Sequence, residues 1–78
     1  MEIIFSSHAL DMLNERNIAK ELALDTVCSP DSTRLREDGT VHYYKTINEK
    51  TLHIVINPKD NKVITLFYDR RGIRESED

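Results

Sequence analysis

The sequence has little of what holds small secreted or metal-bound domains together. Its 78 residues include one cysteine, Cys28, two glycines, two prolines and no tryptophan. A single cysteine cannot form an internal disulfide, and four-ligand zinc spacing is absent, which excludes a disulfide framework and a structural zinc site. No apolar run has the length of a membrane span, and the first residues lack a signal peptide's basic and apolar regions. These absences predict a cytoplasmic protein with no membrane partner.

Length and charge set further bounds. A chain of 78 residues has room for one modest core, and we expect one domain over residues 1–74 with an acidic tail at 75–78. The net charge of −3 conceals an asymmetry, because residues 1–32 are acidic whereas residues 33–74 are basic. A basic half is compatible with a phosphate-bearing or acidic partner, but on charge alone ordinary solvated surface is the preferred explanation.

Residues 5–18 predict a first helix with signals at both ends. Ser6 suits the N-cap, where its hydroxyl accepts an amide hydrogen of the first turn, and Asn17 suits the left-handed residue that ends a helix. His8 and Arg16 are two turns apart, so they lie on one helix face, which is the first candidate for function. Each also has a structural interpretation: His8 could bond nearby backbone, and Arg16 could complement the helix dipole.

The period of the apolar residues changes after the second helix. That helix is predicted from about residue 19 to Cys28, before Pro30, because the residue preceding a proline avoids the α region. From Thr33 onward the period is two, which indicates strands joined by short turns. Four strands are predicted, at residues 33–36, 40–46, 51–56 and 62–68. The predicted fold class is α+β, with two N-terminal helices packed on one face of a four-stranded antiparallel sheet.

The first hairpin determines which residues share a face of this sheet. A three-residue loop at 37–39 pairs Leu35 with Val41, whereas a two-residue loop would set Leu35 beside His42. The longer loop is favoured because Gly39 can be left-handed, and because a slip of one residue would scatter the apolar side chains. It gathers eight residues on the helix-facing side: Leu35, Val41, Tyr43, Leu52, Ile54, Ile56, Ile64 and Leu66.

The opposite face of the predicted sheet is basic and aromatic. It carries Arg34, Arg36, His42, Tyr44, His53, Val55, Val63, Thr65 and Phe67. Cations that hold phosphates, interleaved with rings that stack on bases, are typical of single-stranded RNA recognition. β-Propensity alone also places such residues on an exposed face and explains the pattern about as well. The RNA-binding candidates are Tyr44, His53, Arg34, Arg36 and Arg71.

Cleavage of RNA by its own 2′-hydroxyl would need neither a metal nor a cofactor. The three histidines and Cys28 have no spacing that favours a shared metal, so no metal site is predicted. The reaction requires proton transfer and stabilisation of the charge on phosphorus. A titratable group, fixed cations and phenols could supply both. The catalytic candidates are His8, Arg16, Tyr68 and Arg70.

Four segments in matching order carry a resemblance to a known family. They are Phe5-Ser6-Ser7-His8-Ala9, Glu15-Arg16-Asn17-Ile18, the helix exit at Pro30-Asp31, and Val63-Ile64-Thr65-Leu66-Phe67. The chain resembles a widespread group of small uncharacterised bacterial and archaeal proteins, which is related to the RelE/ParE and BrnT toxins of toxin–antitoxin systems. It departs from the usual pattern at Met12, Asn17 and Ala19, where that group has arginine, glycine, and serine or threonine.

The resemblance implies a RelE-like scaffold and a toxin-like mRNA endoribonuclease. Such an enzyme would be independent of metal, would act on RNA or on ribosome-associated message, and would have a cognate antitoxin protein as its partner. The alternative is a non-catalytic interaction or regulatory module on the same scaffold.

Overall fold

Seven elements follow one another along residues 2–69, the part of the chain that the computed structural model describes. They are β1 (Ile4–Phe5), α1 (Ser7–Glu15), α2 (Lys20–Cys28), β2 (Ser32–Leu35), β3 (Val41–Ile47), β4 (Lys50–Asn57) and β5 (Lys62–Asp69). The sheet order is β1-β5-β4-β3-β2. The predicted α+β class with two helices is confirmed. Arg70, Arg71 and the predicted acidic tail lie outside the described residues.

The prediction of a four-stranded antiparallel sheet is wrong by one strand. Strands β2 to β5 form the predicted antiparallel meander. Strand β1 adds a fifth, parallel to β5, with Ile4 paired with Lys62 and Phe5 with Val63. The sheet is therefore mixed. A strand of two residues has no alternation of side chains, so periodicity cannot reveal it.

Helix α1 begins and ends as its sequence predicts, and its first turn is tied to the sheet. Ser6 is the N-cap, and its Oγ accepts a hydrogen bond from the Ala9 amide at 3.0 Å. The same hydroxyl donates to the Ile64 carbonyl at 3.0 Å. Asn17, just after the helix, has a φ of 57°. Within residues 2–69 neither helix is long and apolar enough to cross a membrane.

Replacing Ser6 with alanine should lower the free energy of unfolding by about 1–2 kcal/mol. An N-cap serine contributes roughly 0.5–2 kcal/mol, and this hydroxyl also bonds the Ile64 carbonyl of β5. Urea unfolding monitored by circular dichroism measures the change. Ser7→Ala is the matched control, because Ser7 is exposed and lies inside the helix. Equal losses in the two variants would contradict the capping role.

The core lies between the helices and the helix-facing side of the sheet. Its fully buried large side chains include Leu52, Ile54 and Leu66, and Ala9 and Leu13 cover them from α1. The predicted pairing of Leu35 with Val41 is confirmed. Gly39 has the left-handed φ, 90°, that the three-residue loop requires.

Two residues of the predicted core are exposed, each for a local reason. Leu35 is 73% exposed because it ends β2, the strand at the margin of the sheet. A bulge in the pairing of β4 with β5 pairs Ile56 with Val63 and Val55 with Thr65. Ile64 is thus an extra residue of β5 with no partner on β4. Because of it, Val63 points to the helix-facing side, opposite to the predicted alternation. Val63 is consequently fully buried, whereas Ile64 is 37% exposed.

Candidate functional site

The outer face of the sheet, which points away from the helices, carries two rows of side chains that cross the strands. The strand pairing aligns Ser32, Tyr44, His53 and Phe67 in the first row. It aligns Arg34, His42, Val55 and Thr65 in the second. Directly paired residues point to the same face, so the two rows form one continuous surface.

A cluster of four flat side chains occupies the centre of the outer face. This ring cluster consists of His42, Tyr44, His53 and Phe67. The His53 ring is central, with centroid distances of 4.4 Å to Tyr44, 4.7 Å to Phe67 and 4.8 Å to His42. All four residues are half-buried. The tilted contacts are favourable for rings and hold His53 from three sides.

The two histidines of the ring cluster form a hydrogen-bonded pair. His42 Nδ1 and His53 Nε2 lie 2.6 Å apart, so one ring donates an N–H and the other accepts it. Burial, followed by the charge of His42, lowers the pKa of His53 to about 4. Burial, followed by the charge of Arg36, also lowers the pKa of His42. Both imidazoles are therefore predominantly neutral at pH 7.

Cations border the ring cluster on the side of the first hairpin. Arg34 is half-buried beside His42 in the second row, and Arg36 is exposed just beyond the end of β2. Asp38 accepts hydrogen bonds from the Thr40 hydroxyl at 2.7 Å and from the Thr40 amide at 3.0 Å. These bonds lower the pKa of Asp38, so the loop also carries a carboxylate at pH 7.

His8 lies at the far end of the second row. Its Nε2 is 3.1 Å from the Thr65 hydroxyl of β5, and the residue is exposed. Thr65 is two strands away from His42. At about 4.8 Å per strand this is about 10 Å between their backbones. His8 therefore belongs to the rim of the outer face rather than to the ring cluster.

The other predicted catalytic residues do not gather around His8. Arg16 is exposed at the C-cap of α1, and eight residues of helix separate it from His8 by about 12 Å. Between them, Met12 packs against the core. Tyr68 packs on the helix-facing side, where the Lys50 ammonium is 5.2 Å from its ring centroid. Arg70 lies outside the described residues, and the catalytic roles of these side chains stay predictions.

The predicted RNA-binding residues lie closer together than the predicted catalytic residues do. Tyr44 and His53 are neighbours in the first row, and Arg34 lies in the second row with Arg36 beyond it. Arg71 lies outside the described residues. Within residues 2–69, no three histidine, cysteine or acidic side chains are placed to hold a metal ion.

Comparison with known families places the chain in one of them. Residues 5–68 match a family described as a domain of unknown function, DUF4258. The chain belongs to the DUF4258 family. The match includes both helices, and it includes both rows of the outer face from Ser32 to Phe67. No curated protein and no solved structure matches the chain.

Two residues of the DUF4258 outer face, His42 and Phe67, were not among the sequence-predicted site residues. Both were assigned to the correct face, but neither was singled out. His42 and His53 are diagonal neighbours, because His53 pairs with Tyr44, two residues along β3 from His42. Diagonal neighbours on one face come within reach of long or flat side chains. The predicted assignment of both histidines to one face made them candidate neighbours, but it did not specify their hydrogen bond.

Proposed function

We propose that this DUF4258 domain is a toxin-like mRNA endoribonuclease that holds single-stranded RNA on its outer face. One observation carries the proposal: four flat side chains cluster on an open sheet face, with Arg34 and Arg36 at its border. Flat rings stack on bases of any sequence, and guanidinium groups hold phosphates. Within residues 2–69 the helices pack on the other face of the sheet, which leaves this one accessible to a strand of RNA.

The proposed chemistry is cleavage by the RNA's own 2′-hydroxyl, without a metal ion. The 2′-oxygen attacks phosphorus, the bond to the 5′-oxygen breaks, and the products are a 2′,3′-cyclic phosphate and a 5′-hydroxyl. The protein has to move protons and to stabilise the charge on phosphorus. Histidines and arginines of the outer face and its rim are the groups proposed for these tasks.

The scaffold and the partner are part of the same proposal. Two helices on one face of a small sheet are what a RelE-like scaffold would require, and the basic strand half would face RNA or the ribosome. A cognate antitoxin would cover this half with an acidic segment. Its association rate should then fall as the salt concentration rises, because exposed opposite charges accelerate encounter.

Tyr44→Ala should weaken binding of a single-stranded oligoribonucleotide about 5- to 150-fold. Loss of one stacking ring costs about 1–3 kcal/mol, and 1.4 kcal/mol corresponds to a tenfold change in Kd. Fluorescence anisotropy at fixed salt measures the affinity. Tyr43→Phe is the control, because Tyr43 packs against the core on the opposite face. Unchanged affinity in Tyr44→Ala, or no RNA binding by the wild-type protein, would contradict the RNA-binding assignment.

A second candidate, a non-catalytic interaction module, is favoured by the side of β2 that pairs with no other strand within residues 2–69. A groove of about 530 Å³ is lined there by Arg34, Leu35, Arg36, Glu37 and Asp38. Leu35 is 73% exposed, and β2 is the marginal strand of the sheet. An extended protein segment could pair with β2 and cover this leucine. Induced expression in a heterologous host discriminates the two, because only the endoribonuclease should cause growth arrest together with RNA cleavage.

A further inference from the structure

We infer that His42 is the general base of the proposed cleavage and that His53 is the positioning residue that holds it; the inference rests on the proposed endoribonuclease function. The pair lies at the centre of the surface on which RNA is proposed to bind. Neither histidine of the pair was among the catalytic residues predicted from the sequence, where His8 was the acid–base candidate.

The geometry of the pair fixes His42 in one orientation. His42 Nδ1 is engaged with His53 Nε2 at 2.6 Å, which fixes the orientation of the His42 imidazole. His53 is itself held by ring contacts to Tyr44 and Phe67. In the tautomer in which His42 donates from Nδ1, its Nε2 carries a free lone pair. A base held in this way resembles the histidine of a catalytic triad, which a third group orients.

The proton that the base takes up can remain on the His42 ring. When Nε2 of His42 takes a proton, the ring becomes an imidazolium whose Nδ1–H still donates to His53. This requires His53 to be an unprotonated acceptor, and its burial among the rings favours its neutral form. The pair can therefore receive one proton without losing its internal hydrogen bond.

Two cations lie beside the proposed base. Arg34 is the second-row neighbour of His42, and Arg36 is close enough for its charge to lower the pKa of His42. These guanidinium groups would stabilise the negative charge that develops on phosphorus next to the base. At the rim, the described residues show no such combination of a positioning ring and guanidinium groups around His8. Its Nε2 faces the Thr65 hydroxyl there.

His42 Nε2 takes the proton of the 2′-hydroxyl as the 2′-oxygen forms its bond to phosphorus. The bond from phosphorus to the 5′-oxygen breaks, and this oxygen takes a proton from water. The hydroxide that remains is neutralised by the proton on His42, which restores the free base. No oxidant, reductant or metal is required.

The experiment measures single-turnover cleavage of a fluorogenic single-stranded oligoribonucleotide by full-length variants, alongside its affinity. His42→Gln should reduce the cleavage rate about 10²- to 10⁴-fold, the contribution of a general base, with affinity reduced far less. His8→Gln should reduce the rate much less than His42→Gln. Glu21→Gln, an exposed change on α2, is the control that should leave both quantities unchanged.

The role of His53 is tested by two variants that keep different parts of its ring. His53→Phe keeps the flat ring but removes the acceptor, whereas His53→Gln keeps an acceptor that could bond His42. If His53 positions the base, His53→Phe should lower the cleavage rate and move the acid limb of the rate–pH profile. His53→Gln should restore part of the rate. A merely structural role for His53 would change thermal stability without moving the pH profile.

Failure of the His42 assignment is distinguishable from failure of the endoribonuclease proposal. If the wild type cleaves RNA and His42→Gln cleaves equally fast, the His42 assignment is overturned while the endoribonuclease proposal stands. Loss of cleavage in His8→Gln but not in His42→Gln overturns it in the same way and returns the base role to His8. If the wild type neither binds nor cleaves RNA, the proposed function fails and the assignment fails with it.

Discussion

Ile54→Ala should lower the free energy of unfolding by about 2–5 kcal/mol, the range measured for truncation of large aliphatic side chains in cores. Ile54 is fully buried in the central strand β4, between Tyr43 on β3 and Leu66 on β5. Its removal leaves a cavity under the helices that the sheet cannot close. Small domains are stable by only roughly 5–15 kcal/mol, so the variant should be close to unfolding at 37 °C. Leu13→Ala, on the opposing α1, should behave similarly.

Neighbouring residues on the outer face provide the controls for this prediction. Val55→Ala removes an aliphatic side chain one residue away, from a half-buried position on the other face. His42→Ala and His53→Ala alter the same face. Each should cost much less than Ile54→Ala in chemical denaturation followed by circular dichroism. Equal losses at all these positions would mean that the assignment of the two faces is wrong.

Lowering the pH from 6.5 to 4 should destabilise the protein by about 2 kcal/mol through His53 alone. The pKa of His53 is about 4 in the folded protein, against 6.5 for an unperturbed histidine. Between these values the unfolded chain binds the proton and the folded chain does not. The contribution of His53 to the free energy of unfolding is therefore fully present above pH 6.5, and it is lost as the pH falls to 4. For a fully buried group, a shift of this size corresponds to about 3 kcal/mol of stability. Because the His53 ring is only partly shielded from water, its contribution is smaller, about 2 kcal/mol.

His53→Phe is the variant that removes this contribution, while that of His42, whose pKa is also lowered by burial, remains. It removes the titrating group but keeps a ring among Tyr44 and Phe67, so its stability should depend less steeply on pH between 6.5 and 4. The pKa of Asp38 is lowered from 3.8 by its bonds to Thr40, so its contribution is lost mainly below this window. Urea unfolding at a series of pH values measures both proteins. The same pH dependence in both would show that His53 is not shielded in the folded state.

Local chemistry made much of the fold predictable. The Ser6 cap, the left-handed Asn17 and the glycine of the first hairpin each depend on a few adjacent residues, and the structure confirms all three. The departures are non-local. The parallel pairing of β1 depends on a strand far along the chain, and the bulge at Ile64 depends on how two strands accommodate each other. Neither leaves a periodic signal in its own segment.

The sequence predicted which face of the sheet carries the candidate site, but it did not predict the contacts between the side chains there. Alternation assigned His42, Tyr44, His53 and Phe67 to one side of the sheet, and the strand pairing places them there. The contact between His42 and His53 depends on side-chain rotamers, which a pattern of residue types does not specify. The helix spacing of His8 and Arg16 gave no information about the strands they would approach. His8 bonds Thr65, whereas Arg16 ends its helix about 12 Å away.

The parallel pairing of β1 with β5 has a consequence for synthesis on the ribosome. The hairpins that join β2, β3 and β4 can close as each strand emerges, but β1 and α1 must wait for β5. About 58 residues separate Ser6 from its acceptor at Ile64. At a translation rate of 5–20 residues per second, the apolar side of α1 stays uncovered for roughly 3 to 12 seconds. Phe67 and Thr65 also arrive with β5, so the outer face is complete only after translation has passed this strand. A chain that stops before β5 would therefore lack a complete ring cluster on this face.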